Sequence, residues 1–245
     1  MFRSNIILVV CILAAFCVLC TLGWWQVQRL QWKEALIERV EERVAKPPIE
    51  LDEFLAHGMR DDDREYHPVI VEGEFDHSRE VFELTTDKNG IAGWNIHTPL
   101  TLKNGKLLIV NRGFVPSEMR DAALRSEGQI LGDHAITGLY RNTITEKPNS
   151  IIPDNELEKR EFYWRSYTQM ISLMGAEVNE QFLPFTLDAG EMPNKGGWPK
   201  GGTTRVSFPN NHLQYAITWF GLALALIVVG VFFMVSRQKA LGSNS

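Results

Sequence analysis

Two uncharged, mostly apolar runs bracket this chain, at 6–25 and at 215–235. About 20 such residues suffice to cross the roughly 30 Å hydrocarbon core of a bilayer as a helix. A lone segment crosses only as a helix, because the lipid offers its backbone no hydrogen-bond partners. Everything between, 26–214, is polar enough to fold in water. The chain is therefore expected to be a membrane protein: two transmembrane α-helices flank an α+β extramembrane domain, with short tails at 1–5 and 236–245.

Charge narrows the partners. Of 25 basic residues only Arg3, Arg237 and Lys239 sit in the tails, while all 30 acidic residues lie in the middle. A middle domain eight charges negative argues against nucleic acid as a partner. Cys11, Cys17 and Cys20 all belong to the first apolar run, so the folded domain has no disulfide framework, no C-x-x-C and no thiol catalysis.

The first run is expected to remain as an anchor. It flows into Gly23-Trp-Trp-Gln-Val-Gln-Arg29 without a small-residue cleavage site, and Leu19 precedes Cys20 where a lipoprotein signal would place a small residue. Only five residues precede it, too few for an Arg-rich presequence, which favours a bacterial protein over an organelle import substrate. Two spans put both termini on one side. Arg3, Arg237 and Lys239 suit the cytoplasmic side, yet Arg29, Lys33, Arg39 and Arg43 closely follow the first run on the other. Charge alone leaves the orientation open.

Helical spacing continues past the membrane through Trp25, Arg29, Trp32, Leu36, Val40 and Val44, until Pro47-Pro48 stops it. Trp24 and Trp25 sit where an interfacial aromatic belt is expected. A short helix is predicted over 49–57. Strands are predicted at 69–75 and 80–86, joined by a hairpin-like Asp76-His-Ser-Arg79, then at 93–102 and 107–112 around the tight-turn signal Asn104-Gly105. Further strands are predicted at 135–141, 182–187 and 203–208. Helices are predicted at 117–126, capped by Ser117, and at 163–174, stopped by Gly175. The Gly- and Pro-rich 191–202 reads as a loop. Short strands with tight turns point to an antiparallel, barrel-like β-sheet with short helices.

Enzyme signatures are missing: there is no G-x-S-x-G, H-E-x-x-H, Walker or dinucleotide motif. No enzymatic role is expected. Asp61-Asp-Asp63 lacks the Gly and distal Glu of a calcium loop and reads as a solvated acidic turn. His57, His67, His77, His97 and His134 show no ligand-pair spacing.

Two positions stand out. In Asn111-Arg-Gly-Phe-Val-Pro116 a strand is expected to end on Gly113. Arg112 then either pairs with a carboxylate or contacts an anionic group, a propionate or a partner's acid. In Phe208-Pro-Asn-Asn-His-Leu-Gln-Tyr-Ala-Ile-Thr-Trp219, Asn210 or Asn211 caps the helix after Pro209 and places His212 in its first turn, at the membrane interface. Tyr215 and Trp219 fall on the same face, at i+3 and i+7. Such a face suits a flat apolar macrocycle, with imidazole as axial ligand to its iron. The plain alternative is an interfacial histidine in an aromatic belt. Gly221 and Ala225, with Ala223 alongside, and Ala14 and Ala15 on the first helix offer small surfaces through which the spans would pack.

These strings, with Leu22-Gly-Trp-Trp-Gln-Val-Gln-Arg-Leu-Gln-Trp-Lys33, Gly138-Leu-Tyr-Arg141 and Phe162-Tyr-Trp164, resemble the Surfeit-locus-one family of terminal-oxidase assembly factors over nearly the whole chain. The resemblance implies a bacterial inner-membrane protein with its large domain on the periplasmic side. It implies help in building cytochrome c oxidase where haem a enters the catalytic subunit, with the histidine at the start of the second span, here His212, as haem ligand. Asn211 departs from the basic residue many relatives carry there, which alters the expected contacts to a haem propionate. The leading expectation is a haem a carrier or stabiliser in which His212 ligates iron (the metal site), Tyr215 and Trp219 pack the ring and Arg112 meets a propionate. The oxidase catalytic subunit, a haem a synthase and membrane lipid are the expected partners. One rival is a scaffold that holds oxidase subunits or the synthase and never touches haem. The other, a membrane-anchored periplasmic hydrolase, lacks a visible catalytic constellation.

Overall fold

The computed structural model describes residues 2–175, 181–204 and 208–242. The chain divides into two units, one made of residues 1–39 and 207–245, the other of residues 40–206.

The first unit is a helix pair. Helix α1 spans Phe2–Val44 and α5 spans His212–Gly242. Both contain stretches long and apolar enough to cross a membrane. The continuous α1, running to the threshold of Pro47-Pro48, is what the spacing of its apolar residues predicts. Outward-facing apolar side chains such as Ile7, Ile217 and Phe232 are 64%, 64% and 73% exposed and suit a lipid surround. The contact between the helices differs from expectation. Gly221 faces open space and Ala225 is exposed, as are Ala14 and Ala15. The closed face of α5 is instead Ala216, Ala223 and Gly230, spaced every seven residues. Phe220 lies over Gly23 and Ile12 over Gly230. Small residues let two helices approach closely, and a seven-residue repeat keeps one face turned to its neighbour over several turns.

The second unit is built on one eight-stranded sheet: β1 (Ile49–Glu50), β2 (Pro68–Phe75), β3 (Val81–Thr86), β4 (Ala92–Leu102), β5 (Leu107–Pro116), β6 (Asp133–Asn142), β7 (Glu161–Phe162) and β8 (Phe182–Ala189). Pairing runs β2–β6–β8–β5–β4, and β4 returns to β2 through Gly73↔Leu102 and Phe75↔Leu100, which closes a five-stranded ring. The barrel-like expectation holds. The antiparallel one holds for most pairs, while β1–β2, β3–β7 and β5–β8 run parallel. The turn at Asn104-Gly105 joins β4 and β5 as an antiparallel hairpin.

Helices α2 (Leu51–Ala56), α3 (Asp61–Arg64) and α4 (Tyr167–Leu173) complete the unit. One core gathers Phe54 of α2 with Val71, Leu100, Leu108, Val110, Tyr140 and Phe185; another gathers Val81, Ile109 and Phe162 with Met170 of α4. Alternate residues of β5 serve the two cores, which is why that strand is buried on both faces and reads as unbroken apolar sequence.

Five local expectations are corrected. Residues 76–79 form a 3-10 turn, not a hairpin: β2 and β3 do not pair with each other, and both pair with β4. Residues 117–128 form two 3-10 turns; Ser117 donates to Ala92 O instead of capping, and Asp121 caps through Ala123 N. The predicted helix at 163–174 shrinks to α4, because Phe162 is drawn into a parallel pairing with β3 and the N–H groups of Tyr163 and Trp164 donate to Asn155 Oδ1. Strand β5 does not end at Gly113 but continues to Pro116. The predicted strand at 203–208 is absent at 203, 204 and 208, and its remainder lies outside the described residues.

Candidate functional site

His212 is the first residue of α5. Its N–H lies 3.4 Å from Asn210 Oδ1, and Tyr215 N–H donates to Asn211 O, so the two asparagines together set the helix start. The imidazole does not hang free. His212 Nδ1 lies 2.7 Å from Gln26 Oε1 on α1. An amide oxygen only accepts, so Nδ1 carries a proton, and in the neutral imidazole Nε2 keeps its lone pair. Among the described residues Nε2 has no hydrogen-bond partner. Gln26 itself is 8% exposed, one turn beyond Gly23.

Helical spacing puts Tyr215 and Trp219 on the His212 side of α5; Tyr215 is largely exposed and Trp219 half-buried. On the neighbouring helix Trp24 and Trp25 are exposed, the Arg29 guanidinium stacks 3.9 Å from the Trp32 ring centre, and Lys33 Nζ lies 4.9 Å from that of Phe208. The unit thus carries apolar surface, exposed aromatics and cations as well as one oriented imidazole.

Arg112 is placed quite differently. It is buried in the second unit. Its Nη2 donates to Gly128 O, its Nη1 to His77 Nδ1, and Nη1 stands 3.7 Å from Glu80 Oε1. His77 Nε2–H donates to Ile130 O, which fixes the acceptor role of Nδ1. Arg125 holds the second oxygen of Glu80 at 2.5 Å. Burial pulls Arg112 down to about 10 and the nearby Arg125 pushes the same way, against the pull of Glu80. Burial pushes Glu80 up, yet the guanidinium groups of Arg125 and Arg112 hold it below the ordinary carboxylate value. Of the two readings of Arg112, the geometry matches the carboxylate-paired one.

A larger buried network escaped the sequence reading. Glu83 on β3 accepts from Asn95 and His97 on β4, with His97 Nε2 at 2.9 Å. Arg165 reaches both Glu83 and Asp188, and Asp188 also accepts from Asn111 and Arg141. Burial pushes both carboxyls up, but Arg165 and His97 hold Glu83 well below the ordinary value, and Arg165, Arg141 and Asn111 hold Asp188 below it. The network lines a cavity of about 680 Å3 whose other walls include Phe114, Trp198 and Lys200. Polar residues at buried strand positions, His97, Asn111 and Asp188, are the signal that marks it. His57, His67 and His134 lie apart from it, and among the described residues no group of three or more His, Cys, Asp and Glu is arranged to hold a metal ion.

A family model described as the SURF1 family matches residues 13–224, a stretch that includes Gln26 and His212. Surfeit locus protein 1 of Homo sapiens is 36% identical over 220 residues, covering 83% of this chain and 70% of that protein. The protein of the same name from Mus musculus is 36% identical over 219 residues (83% and 68%). A SURF1-like protein of Monosiga brevicollis is 34% identical over 227 residues (86% and 81%).

Proposed function

The chain belongs to the SURF1 family, and from that premise we propose that it is an assembly factor for cytochrome c oxidase, one that binds haem a and assists its insertion into, or stabilisation in, the catalytic subunit. The role is one of holding and handing on, not of catalysis. The physical need is that a hydrophobic macrocycle must reach a buried site without passing through free water.

The observation that carries this reading is the imidazole of His212, held through Nδ1 with Nε2 unpartnered among the described residues. That is the state a histidine must be in to ligate a metal. A bound haem would be held through its iron by the His212 imidazole. Tyr215 and Trp219 would offer aromatic faces to the ring. Arg112 has no part in this proposal, since its guanidinium is engaged inside the second unit. The two apolar helices fit a multi-pass protein of the bacterial inner membrane with its large domain on the periplasmic side, working beside the oxidase catalytic subunit and a haem a synthase.

The test is an absorption spectrum. The protein purified from cells that make haem a should carry the pigment, and His212→Ala should lose at least nine-tenths of it. No pigment in the wild type, or equal pigment in both, would favour the scaffold reading instead.

A further inference from the structure

We infer that Gln26 is the positioning residue for His212: its side-chain oxygen fixes which imidazole nitrogen is free and where that nitrogen points. The inference rests on the haem-ligand reading of His212 and goes one layer further out.

Several features support it. The Gln26–His212 contact is short, 2.7 Å, and joins residues 186 positions apart. Gln26 is buried on a helix whose other interior residues in this unit, such as Gly23 and Ile12, are apolar or small. A buried amide there requires a partner, and the imidazole is that partner. The approach is set by Gly23, one turn before Gln26. A Cβ at that position would meet the Phe220 ring at 2.8 Å, so any larger residue there requires the ring to shift.

A free neutral imidazole shares its proton between two nitrogens and rotates about its side-chain bonds. An acceptor at Nδ1 removes both freedoms and raises the basicity of Nε2. Outer partners of this kind change metal affinity by about 10–100-fold. Glutamine matches the task in length and charge. Asparagine is one methylene shorter and would not span the gap, leucine cannot accept, and glutamate accepts more strongly. The competing explanation is that Gln26 and His212 merely join two helices, as polar pairs do in membranes.

Two measurements on the full-length protein in detergent separate these explanations. The first uses apoprotein with 15N-labelled histidine and needs no haem. Wild type should show His212 with its proton on Nδ1, and Gln26→Leu should show both tautomers. The second uses the haem a-loaded protein. Gln26→Leu should bind about 10–100-fold more weakly, with the iron–imidazole stretching band at lower frequency, while Gln26→Glu should retain the pigment with that band at higher frequency. A purely structural role would lower protein yield and leave tautomer and band unmoved. An unshifted tautomer in Gln26→Leu overturns the inference, as does an unshifted band in Gln26→Glu, which decides the matter should the leucine variant not fold. If His212→Ala keeps its pigment, the ligand reading fails first. If that variant loses pigment while both Gln26 variants match wild type, only the positioning role fails.

Discussion

Arg165 stands between Glu83 and Asp188, with Nη2 3.0 Å from the first and Nη1 3.0 Å from the second. It joins β3 to β8, strands that do not pair with each other. The guanidinium is the hub of the buried network. Arg165→Met would leave two desolvated carboxylates short of their shared cation. Breaking a buried ion pair from one side costs about 3–5 kcal/mol. Chemical denaturation of the detergent-solubilised protein should show a loss in that range for the second unit. A loss under 1 kcal/mol would mean that Arg141, Asn111 and His97 suffice.

Acid should act through the same cluster. Asp188 and Glu83 are both held below their ordinary values. A carboxyl depressed in the folded state contributes stability that is fully present above its unfolded value, near pH 4, and that fades as pH falls through the folded one. The melting temperature should therefore be flat from pH 7 to about 5 and fall below about 4. Asp188→Asn should melt lower than wild type at pH 7, and the gap should narrow as the wild-type carboxyl protonates. A gap that stays constant down to pH 3 would show that the fold does not depress the Asp188 carboxyl.

Gly113 should tolerate no side chain. Its φ is +114°, and an added Cβ would overlap the backbone carbonyl of Lys200, with which Phe114 exchanges two 2.9 Å hydrogen bonds. Strain of about 1–3 kcal/mol in the backbone comes on top of that overlap. Gly113→Ala should release the segment around Lys195 and Lys200, read as faster tryptic cleavage there at a temperature where wild type resists. Equal cleavage rates would show that the 191–202 loop is held by other contacts.

How much of this was legible in the sequence depended on distance along the chain. The two long apolar helices show because an uncharged run of that length has few other uses, and β4–β5 shows because Asn104-Gly105 names its own turn. The ring closure does not show: β2 finds its partners at 133–139 and 100–102, and turn rules speak only of neighbours. The hairpin-like look of 76–79 misled for the same reason. Arg165 lies 82 residues from Glu83, so neither names the other. The helix contact was misplaced because a four-residue spacing of small residues was sought, where Ala216, Ala223 and Gly230 repeat every seven. His212 was legible because Asn210 and Asn211 mark a helix start and Tyr215 and Trp219 share its face. Gln26 was not, because a glutamine beside Trp24 and Trp25 looks like ordinary interfacial polarity.

The helix contact itself offers the last prediction. Phe220 covers Gly23, and the Gln26–His212 contact lies next along the same pair of helices. Gly23→Val would bring side-chain atoms against the Phe220 ring and force that contact to shift. The expected result is a longer or lost Gln26–His212 hydrogen bond and a tautomer mixture at His212, even though neither residue has been touched. Phe220→Ala added to Gly23→Val restores room at the contact. The double variant should recover the Nδ1–H form, a non-additivity that residues in contact show and distant ones do not. If the two changes simply add, Gly23 and Phe220 do not govern the spacing at His212.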